Sequence, residues 1–498
     1  KQFETSLIKT DYDFKEIFDH LEEMDYPLSR TYGIISHLSG VNDSKSIRDI
    51  KDHFRNDIVE LGKLSSYSKP LYDAIKKITT DDENEKRVVK LTVEGMERGG
   101  VNLPEEQKNR LTEIDKILSE QSTKLSENVL DATKTFKKTV TDKELMKSVP
   151  LWVKELWCSE NPEEGPWIIG LNGPSFIAAM QYVPNSELRK DLYINYISKA
   201  GENEEVIKII MDNKLEKANI LGFENYTGLS LSRKMAENEK IILEMLDNLQ
   251  EAALPHAIKE YAEIQEYAEK HGVDGKVEPW DTPYWSERMK EEKFQLKVEE
   301  LKPYFSLDNV LRELFGIANR LFGIFIQERS DNVEKWNKDV RYYDMFEGDD
   351  INNPIIAGFY LDPYVREETK RSGAWMDSCV DKNRALGHNI PVAYLVCNGS
   401  PPSKDKPSLL SFSDVETLFH EFGHGLQHML TKIDINEISG INGIEWDAVE
   451  LPSQFMENWC YDETTLNRMA VHYETGEKMP KKMYDSLIEQ KTYGAGMA

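Results

Sequence analysis

Residues 419–428 read Phe-His-Glu-Phe-Gly-His-Gly-Leu-Gln-His, and their spacing predicts a helix that can hold a metal ion. The stretch contains three of the ten histidines of the chain. A separation of four residues places His420 and His424 on one helical face, one turn apart, so that both imidazoles can reach the same ion. Glu421 is offset by about 100° and stands beside such an ion, where a general base is needed.

The flanking sequence favours the same helix. Ser413-Asp414-Val415-Glu416 has the form of a capping box and predicts a helix start about two turns before His420. The apolar positions give the helix a side that faces a core: Val415, Leu418, Phe419, Phe422, Leu426 and Met429. His428 lies one turn beyond His424 along the axis, so we expect it to support the site or to belong to the core rather than to bind the ion.

A catalytic zinc site takes three protein ligands and keeps one position open. The third ligand is expected from residues 445–459, Glu-Trp-Asp-Ala-Val-Glu-Leu-Pro-Ser-Gln-Phe-Met-Glu-Asn-Trp. A glutamate from a second helix is the gluzincin arrangement, but the spacing leaves Glu445, Asp447, Glu450 and Glu457 open. Glu450 is favoured because Asp447 can cap the first turn and Pro452 fixes the backbone beside it. The other acids are candidates for supporting a ligand imidazole.

Composition excludes several classes of protein. The chain has 498 residues, of which 39% are apolar and 30% charged, so it can bury a sizeable core. Its net charge of −27 argues against a nucleic-acid partner. No apolar run approaches the roughly 18 residues of a transmembrane helix, so no membrane partner is expected. The four cysteines are too scattered for a disulfide framework, and the signatures of phosphate loops, dinucleotide sites and serine hydrolases are absent.

The pattern along the chain predicts a mainly α-helical protein with one small sheet just before the histidines. Residues 307–327 read as one helix, and Pro104 to Lys137 as another. Three runs read as strands, the last an edge strand because it begins with proline: Val340–Phe346, Ile355–Leu361 and Pro391–Cys397. We expect three regions: an N-terminal helical region (1–150), a helical lobe with an irregular insert near 150–182 (151–335), and a metal-binding region (336–498).

These residues resemble the thimet-oligopeptidase family of zinc peptidases (family M3), and within it the branch with plant and algal organellar members. Residues 419–424 and 445–459 carry the strongest likeness. Similar segments extend along nearly the whole chain: Leu103-Pro-Glu-Glu106, Ser126-Glu-Asn-Val-Leu-Asp-Ala-Thr133, Pro303-Tyr-Phe-Ser-Leu307, Gly358-Phe-Tyr-Leu-Asp-Pro-Tyr364, Gly373-Ala-Trp-Met-Asp377 and His472-Tyr-Glu-Thr-Gly476.

The resemblance implies a zincin-like catalytic lobe and a large helical lobe around a deep substrate channel. It implies that His420, His424 and Glu450 bind one zinc ion per chain, with Glu421 as the base. It makes Glu445 the partner of a ligand histidine. Asp447 and His428 are expected to support the site on the grounds of their spacing alone. Substrate would be held by Gly373, Ala374, Tyr394 and Leu395, with the strand near Pro391–Cys397 aligning its backbone.

The implied function is hydrolysis of short unstructured peptides by a zinc metalloendopeptidase, which could include cleaved signal or targeting peptides. The alternative is a protein or fragment that binds zinc and peptide without efficient cleavage. We expect a cytoplasmic monomer, with the mitochondrial or plastid matrix as the alternative location. The family also carries a Gly- and Tyr-rich loop downstream of the metal helices, which Tyr493-Gly-Ala-Gly496 does not match. We therefore expect the chain to be cut at both ends and to lack part of the active site.

Overall fold

The structure is a computed structural model that describes residues 2–497 except 8, 10, 330, 331, 367, 404 and 405. The described residues are mainly helical, which confirms the predicted fold class. Their α-helices are α1 (Gln2–Ser6), α2 (Phe14–Val41), α3 (Lys45–Ser66), α4 (Lys69–Ile75), α5 (Glu83–Gly99), α6 (Glu105–Thr135), α7 (Lys143–Met146), α8 (Leu151–Trp157), α9 (Gly173–Tyr182), α10 (Ser186–Ile197), α11 (Asn203–Ile220), α12 (Tyr226–Leu231), α13 (Glu239–Lys270), α14 (Thr282–Phe294), α15 (Val298–Leu301), α16 (Leu307–Phe322), α17 (Phe412–Met429), α18 (Leu451–Glu457), α19 (Glu463–Met469) and α20 (Lys481–Gln490).

Seven strands and four 3-10 helices complete the secondary structure of the described residues. The strands are β1 (Lys138–Val140), β2 (Trp167–Ile169), β3 (Ile324–Glu328), β4 (Arg341–Glu347), β5 (Ile355–Tyr364), β6 (Trp375–Val380) and β7 (Val392–Gly399). The 3-10 helices are Lys302–Tyr304, Asn436–Ile438, Trp446–Ala448 and Asn458–Tyr461. Among the described residues, no helix combines the length and the apolar character needed to cross a membrane.

The chain forms two compact units. The first comprises Lys1–Lys116, Glu216–Glu237 and Lys302–Met479, and the second comprises Ile117–Leu215, Asn238–Leu301 and Pro480–Ala498. The sequence predicts three consecutive regions, whereas each unit combines stretches that are far apart in the chain. The predicted channel concerns the placement of the two lobes and stays a prediction.

The first unit contains the five-stranded sheet, in the order β3-β4-β5-β7-β6. Strands β5 and β7 are parallel, and the other neighbouring pairs are antiparallel. Because β7 lies between β5 and β6, the prediction that it is an edge strand is wrong. Pro391 is compatible with this place because it precedes the strand and contributes only its carbonyl, which accepts the Gly358 N–H at 3.0 Å. The edge strand beside β7 is β6.

Helices cover both faces of this sheet. On one face α17 packs closely, since the Leu395 side chain comes within 3.0 Å of the place that a Cβ on Gly425 would take. The Phe359 and Phe422 rings also meet there, with centroids 5.8 Å apart. On the other face α2 places the His37 ring flat against Tyr394, with centroids 3.6 Å apart. The sheet therefore packs against one side of α17 and keeps the helix in a fixed position.

The predicted helix around the histidines is confirmed, but its start is corrected. The N-cap is Ser411, whose hydroxyl accepts the Asp414 N–H at 3.1 Å, while the Asp414 carboxylate accepts the Ser411 N–H at 2.8 Å. This capping box begins two residues before the predicted one at Ser413. The Asp414 carboxylate reaches the Ser411 N–H one turn back, so the capping box forms here with aspartate in place of glutamate.

The second unit has its own core. A short antiparallel sheet pairs Val140 of β1 with Trp167 of β2, and β2 lies within the insert that the sequence marks as irregular. Trp157 and Trp167 are buried in the adjoining cluster, and the Trp157 indole N–H donates to Ser175 Oγ at 2.8 Å.

Candidate metal centre

Three side chains from two elements of the first unit converge at one point. His420 Nε2 and His424 Nε2 lie 3.2 Å and 3.1 Å from Glu450 Oε2. Within the part of the chain that the structure describes, this is the one group of three His, Cys, Asp or Glu side chains whose ligand atoms all lie within 4.8 Å of one another. Two imidazole nitrogens and one carboxylate oxygen are the donor set of a catalytic zinc site, so these residues fit that ion.

The convergence depends on a close approach of α17 and α18. A Cβ on Gly423 would lie 2.5 Å from the Pro452 carbonyl oxygen and 2.6 Å from Ser453 Cα, so only glycine allows this contact. Glu450 is the N-cap residue of α18, and the buried Ser453 hydroxyl donates to its Oε2 at 2.9 Å. The Ser453 contact, which the sequence analysis missed, fixes the carboxylate that faces the two imidazoles.

His420 is also held from its other ring nitrogen. Its Nδ1 lies 2.5 Å from Glu457 Oε1, two turns along α18 from Glu450. A carboxylate on Nδ1 fixes the tautomer of an imidazole and directs Nε2 toward the ion. The structure therefore gives Glu457, one of the four acids that the spacing leaves open, the part that the resemblance assigns to Glu445.

Glu445 and Asp447 make other contacts. The Glu445 carboxylate lies 3.4 Å from Arg87 Nη2 and contacts neither histidine of the cluster. Asp447 accepts the N–H groups of Met235 and Ala236, both at 3.0 Å, and these hydrogen bonds lower its pKa. Both expectations are thus corrected: these acids organise loops of the first unit rather than a ligand imidazole.

His428 belongs to the core. Its side chain is fully buried, and Nε2 lies 3.1 Å from the carbonyl oxygen of Val380, at the end of β6. Burial lowers the pKa of His428, so the ring is neutral and can donate from Nε2. It is not part of the cluster of ligand atoms.

Glu421 is buried beside the cluster. Its Oε2 has no hydrogen-bond partner among the described residues. Burial raises its pKa to about 7, while the charge of His420 acts to lower it and that of Glu450 to raise it. A carboxyl group that is desolvated and adjacent to the ligand atoms is placed where a proton can be taken up and released.

The four predicted substrate-binding residues fall into two places. Gly373 is exposed with a positive φ of 90°, and Ala374 directly precedes the edge strand β6. Tyr394 and Leu395 are buried, on opposite faces of the sheet, and their strand pairs with β5 and β6 on its two sides. Because both edges of β7 are already paired, the prediction that a peptide adds to this strand is wrong, and the edge strand beside it is β6.

Two histidines four residues apart on one helix, with a glutamate at the start of the next, have the ligand arrangement of gluzincin metallopeptidases. Comparison with family models identifies the family. The model for "Peptidase family M3" matches residues 179–498, and the model for "Neurolysin/Thimet oligopeptidase, N-terminal domain" matches residues 1–108. The chain belongs to peptidase family M3, a family of metal-dependent peptidases.

Individual relatives agree with this assignment. The chain is 41% identical to the organellar oligopeptidase A (chloroplastic/mitochondrial) of Arabidopsis thaliana, over 97% of this chain and 64% of that protein. It is 39% identical to a probable cytosolic oligopeptidase A of the same plant, over 97% and 72%. A solved structure of PZ peptidase A with an inhibitor has a similar fold, with a TM-score of 0.53 and 14% identity over 100% of this chain and 71% of that one.

Proposed function

We propose that this chain is a zinc-dependent endopeptidase that hydrolyses short peptides. The observation that carries the proposal is the convergence of His420, His424 and Glu450 at 3.1–3.2 Å, with Glu421 buried beside them. Similarity to proteins named oligopeptidase A supports peptides as the substrate class. We further propose one zinc ion per chain, because the three ligands converge at one point.

Each residue has a defined part in this reaction. His420, His424 and Glu450 would hold the ion, and Glu457 keeps His420 oriented toward it. Zinc held in this way acts as a Lewis acid that polarises a carbonyl oxygen and lowers the pKa of water toward about 7. Glu421 takes a proton from the attacking water and gives it to the nitrogen of the leaving amine. The start of the edge strand, at Gly373 and Ala374, is where we place the peptide backbone.

Zinc content and cleavage of a fluorogenic peptide, measured on the same preparation, test this function. We expect the wild-type chain to bind one zinc ion and to cleave, and His424→Ala to lose most of the zinc and the activity. His53→Ala is the matched control, since that histidine is exposed on α3. Full zinc retention by His424→Ala would contradict the ligand assignment.

The same assay distinguishes this function from the alternative, a protein that binds zinc and peptide without efficient cleavage. If the alternative holds, the chain binds zinc at full stoichiometry and binds peptide, but forms no product. The buried Glu421 favours the peptidase, since a binding protein has no need of a carboxyl group in that position. A cytoplasmic location and a monomeric state stay predictions; the two plant relatives are named as organellar and cytosolic proteins.

A further inference from the structure

Acidic side chains gather where α2 meets the connection between α17 and α18, within the first unit. One small cavity is lined by Asp19 and Glu22 of α2 and by Asp434 and Glu437 of the connection. Arg384, which follows β6, is the one cation among the described residues that line it. We call these five side chains the acid junction. Four carboxyl groups share one guanidinium group here, so the junction has excess negative charge when all of them are ionised.

Glu22 ties α2 to two other segments of the chain. Its Oε2 accepts from Asn383 Nδ2 at 2.7 Å, and Asn436 Nδ2 lies 3.2 Å from both of its carboxylate oxygens. Burial raises the pKa of Glu22, whereas the bonds from these two amide groups lower it. The amide donors thus stabilise Glu22 as a carboxylate.

Glu437 lacks such donors on one of its oxygens. Its Oε2 is buried and has no hydrogen-bond partner among the described residues. Arg384 does not supply one, because its Nη2 donates to Glu85 Oε1 of α5 at 2.6 Å. Burial raises the pKa of Glu437 to about 7, and a bond from its own N–H acts to lower it. The charges of Glu22 and Asp19 raise it further, and that of Arg384 lowers it.

The cavity between these side chains is too small for a ligand. Its volume is about 10 Å³, which leaves room for one water molecule at most. In the described ranges, no side chain of the acid junction belongs to the group whose ligand atoms are close enough to hold a metal ion. A proton is therefore what reduces the excess charge. Charged groups on the surrounding elements also act on Asp19 and Glu22: Lys15, Glu23, Asp25, Glu85 and Asp381.

We infer that the acid junction is a pH-sensitive contact, which holds α2 against the α17–α18 connection while Glu437 is protonated and loosens when Glu437 ionises. Ionisation leaves a second negative charge beside Glu22 with its Oε2 unpaired, which is costly in a buried place. Once the junction opens, Glu437 returns to its ordinary pKa of about 4.5, compared with about 7 in the closed contact. The closed contact is therefore most favoured below about pH 4.5 and loses this advantage as the pH rises to about 7. The inference does not depend on the proposed peptidase function.

Hydrogen exchange of backbone amides, measured by mass spectrometry on the zinc-loaded chain at pH 5.5 and pH 8, tests the inference. After correction for intrinsic rates, we expect the protection of residues 14–25 and 434–440 to fall by about tenfold between the two pH values. Glu437→Gln should keep the same protection at both, because its amide does not ionise. Glu22→Gln should show a smaller fall, because it removes the neighbouring charge. Glu106→Gln, which changes an exposed glutamate on α6 in the same unit, is the control and should show the wild-type fall.

Three results would overturn the inference. The first is wild-type protection that does not change between the two pH values. The second is a Glu437→Gln variant that is folded by circular dichroism and still shows the wild-type fall. The third is an equal fall in α16, a buried helix of the same unit, which would indicate a pH effect on the whole unit. If Glu437→Gln does not fold, Glu22→Gln decides, and an unchanged fall in that variant contradicts the inference.

Discussion

Replacement of Glu457 should weaken zinc binding, although this residue touches no ion. Its Oε1 lies 2.5 Å from His420 Nδ1 and is the contact that directs the Nε2 atom toward Glu450. Loss of a carboxylate partner of a ligand histidine usually lowers metal affinity by about 10- to 100-fold. That corresponds to about 1.4–2.8 kcal/mol of zinc-binding free energy. We expect this loss for Glu457→Ala and a smaller one for Glu457→Gln, whose amide oxygen can still accept from Nδ1.

The assay is competition for zinc against a chromogenic chelator, with circular dichroism to confirm that each variant is folded. Glu445→Gln is the matched control, because that carboxylate contacts Arg87 and neither histidine. We expect wild-type zinc affinity for the control. The opposite result, with affinity lost in Glu445→Gln and kept in Glu457→Ala, would refute the assignment of Glu457 and restore the part that the family resemblance gives to Glu445.

Two further predictions concern stability. Burial lowers the pKa of His37 to about 4, with Asp362 acting to raise it and Lys370 to lower it. The folded state therefore keeps His37 neutral while the unfolded chain takes up a proton below about pH 6.5, so stability falls as the pH drops from 6.5 to 4, by about 3 kcal/mol. His37→Phe should remove this part of the acid sensitivity in urea unfolding measured at pH 7 and pH 4; an identical pH dependence in the variant would contradict it. Gly423→Ala should cost about 1–3 kcal/mol and also weaken zinc binding, because its methyl group meets backbone atoms of α18 at 2.5–2.6 Å. Thermal unfolding checks this, with Gly62→Ala, where a Cβ meets open space, as the control that should lose nothing.

The local part of the metal centre could be predicted from the sequence. The helix that carries His420 and His424 follows from apolar spacing and a cap, which are properties of neighbouring residues. The predicted helix from Pro104 to Lys137 is likewise confirmed as α6 (Glu105–Thr135). In both cases the contacts that decide the conformation lie within one element.

Contacts between distant segments could not be predicted in this way. Glu457 meets His420 because α17 and α18 cross at Gly423, and Asp447 faces away because it accepts two N–H groups from residues more than 200 positions earlier. Spacing along one helix contains no information on either contact.

The order of strands was missed for the same reason. Pairing of β5 with β7 and the addition of β6 outside them are long-range choices, and β6 carries Asp377 and Ser378 in place of an apolar pattern. The strand β3 was predicted as the end of a helix. Its apolar residues continue the pattern of α16, but Gly323 with a φ of 65° ends that helix one residue before the strand.

Turnover of a fluorogenic peptide by zinc-loaded Glu421→Gln tests the central claim most directly. Glutamine has nearly the same shape as glutamate, so the variant should keep the fold and the zinc. Its amide cannot take up a proton near neutral pH, so it cannot act as the base. A general base contributes about 10²–10⁴ in rate, and we therefore expect activity at least about a hundredfold below that of the wild type. Near-normal turnover at full zinc content would show that another group takes the proton and would contradict the account of this site.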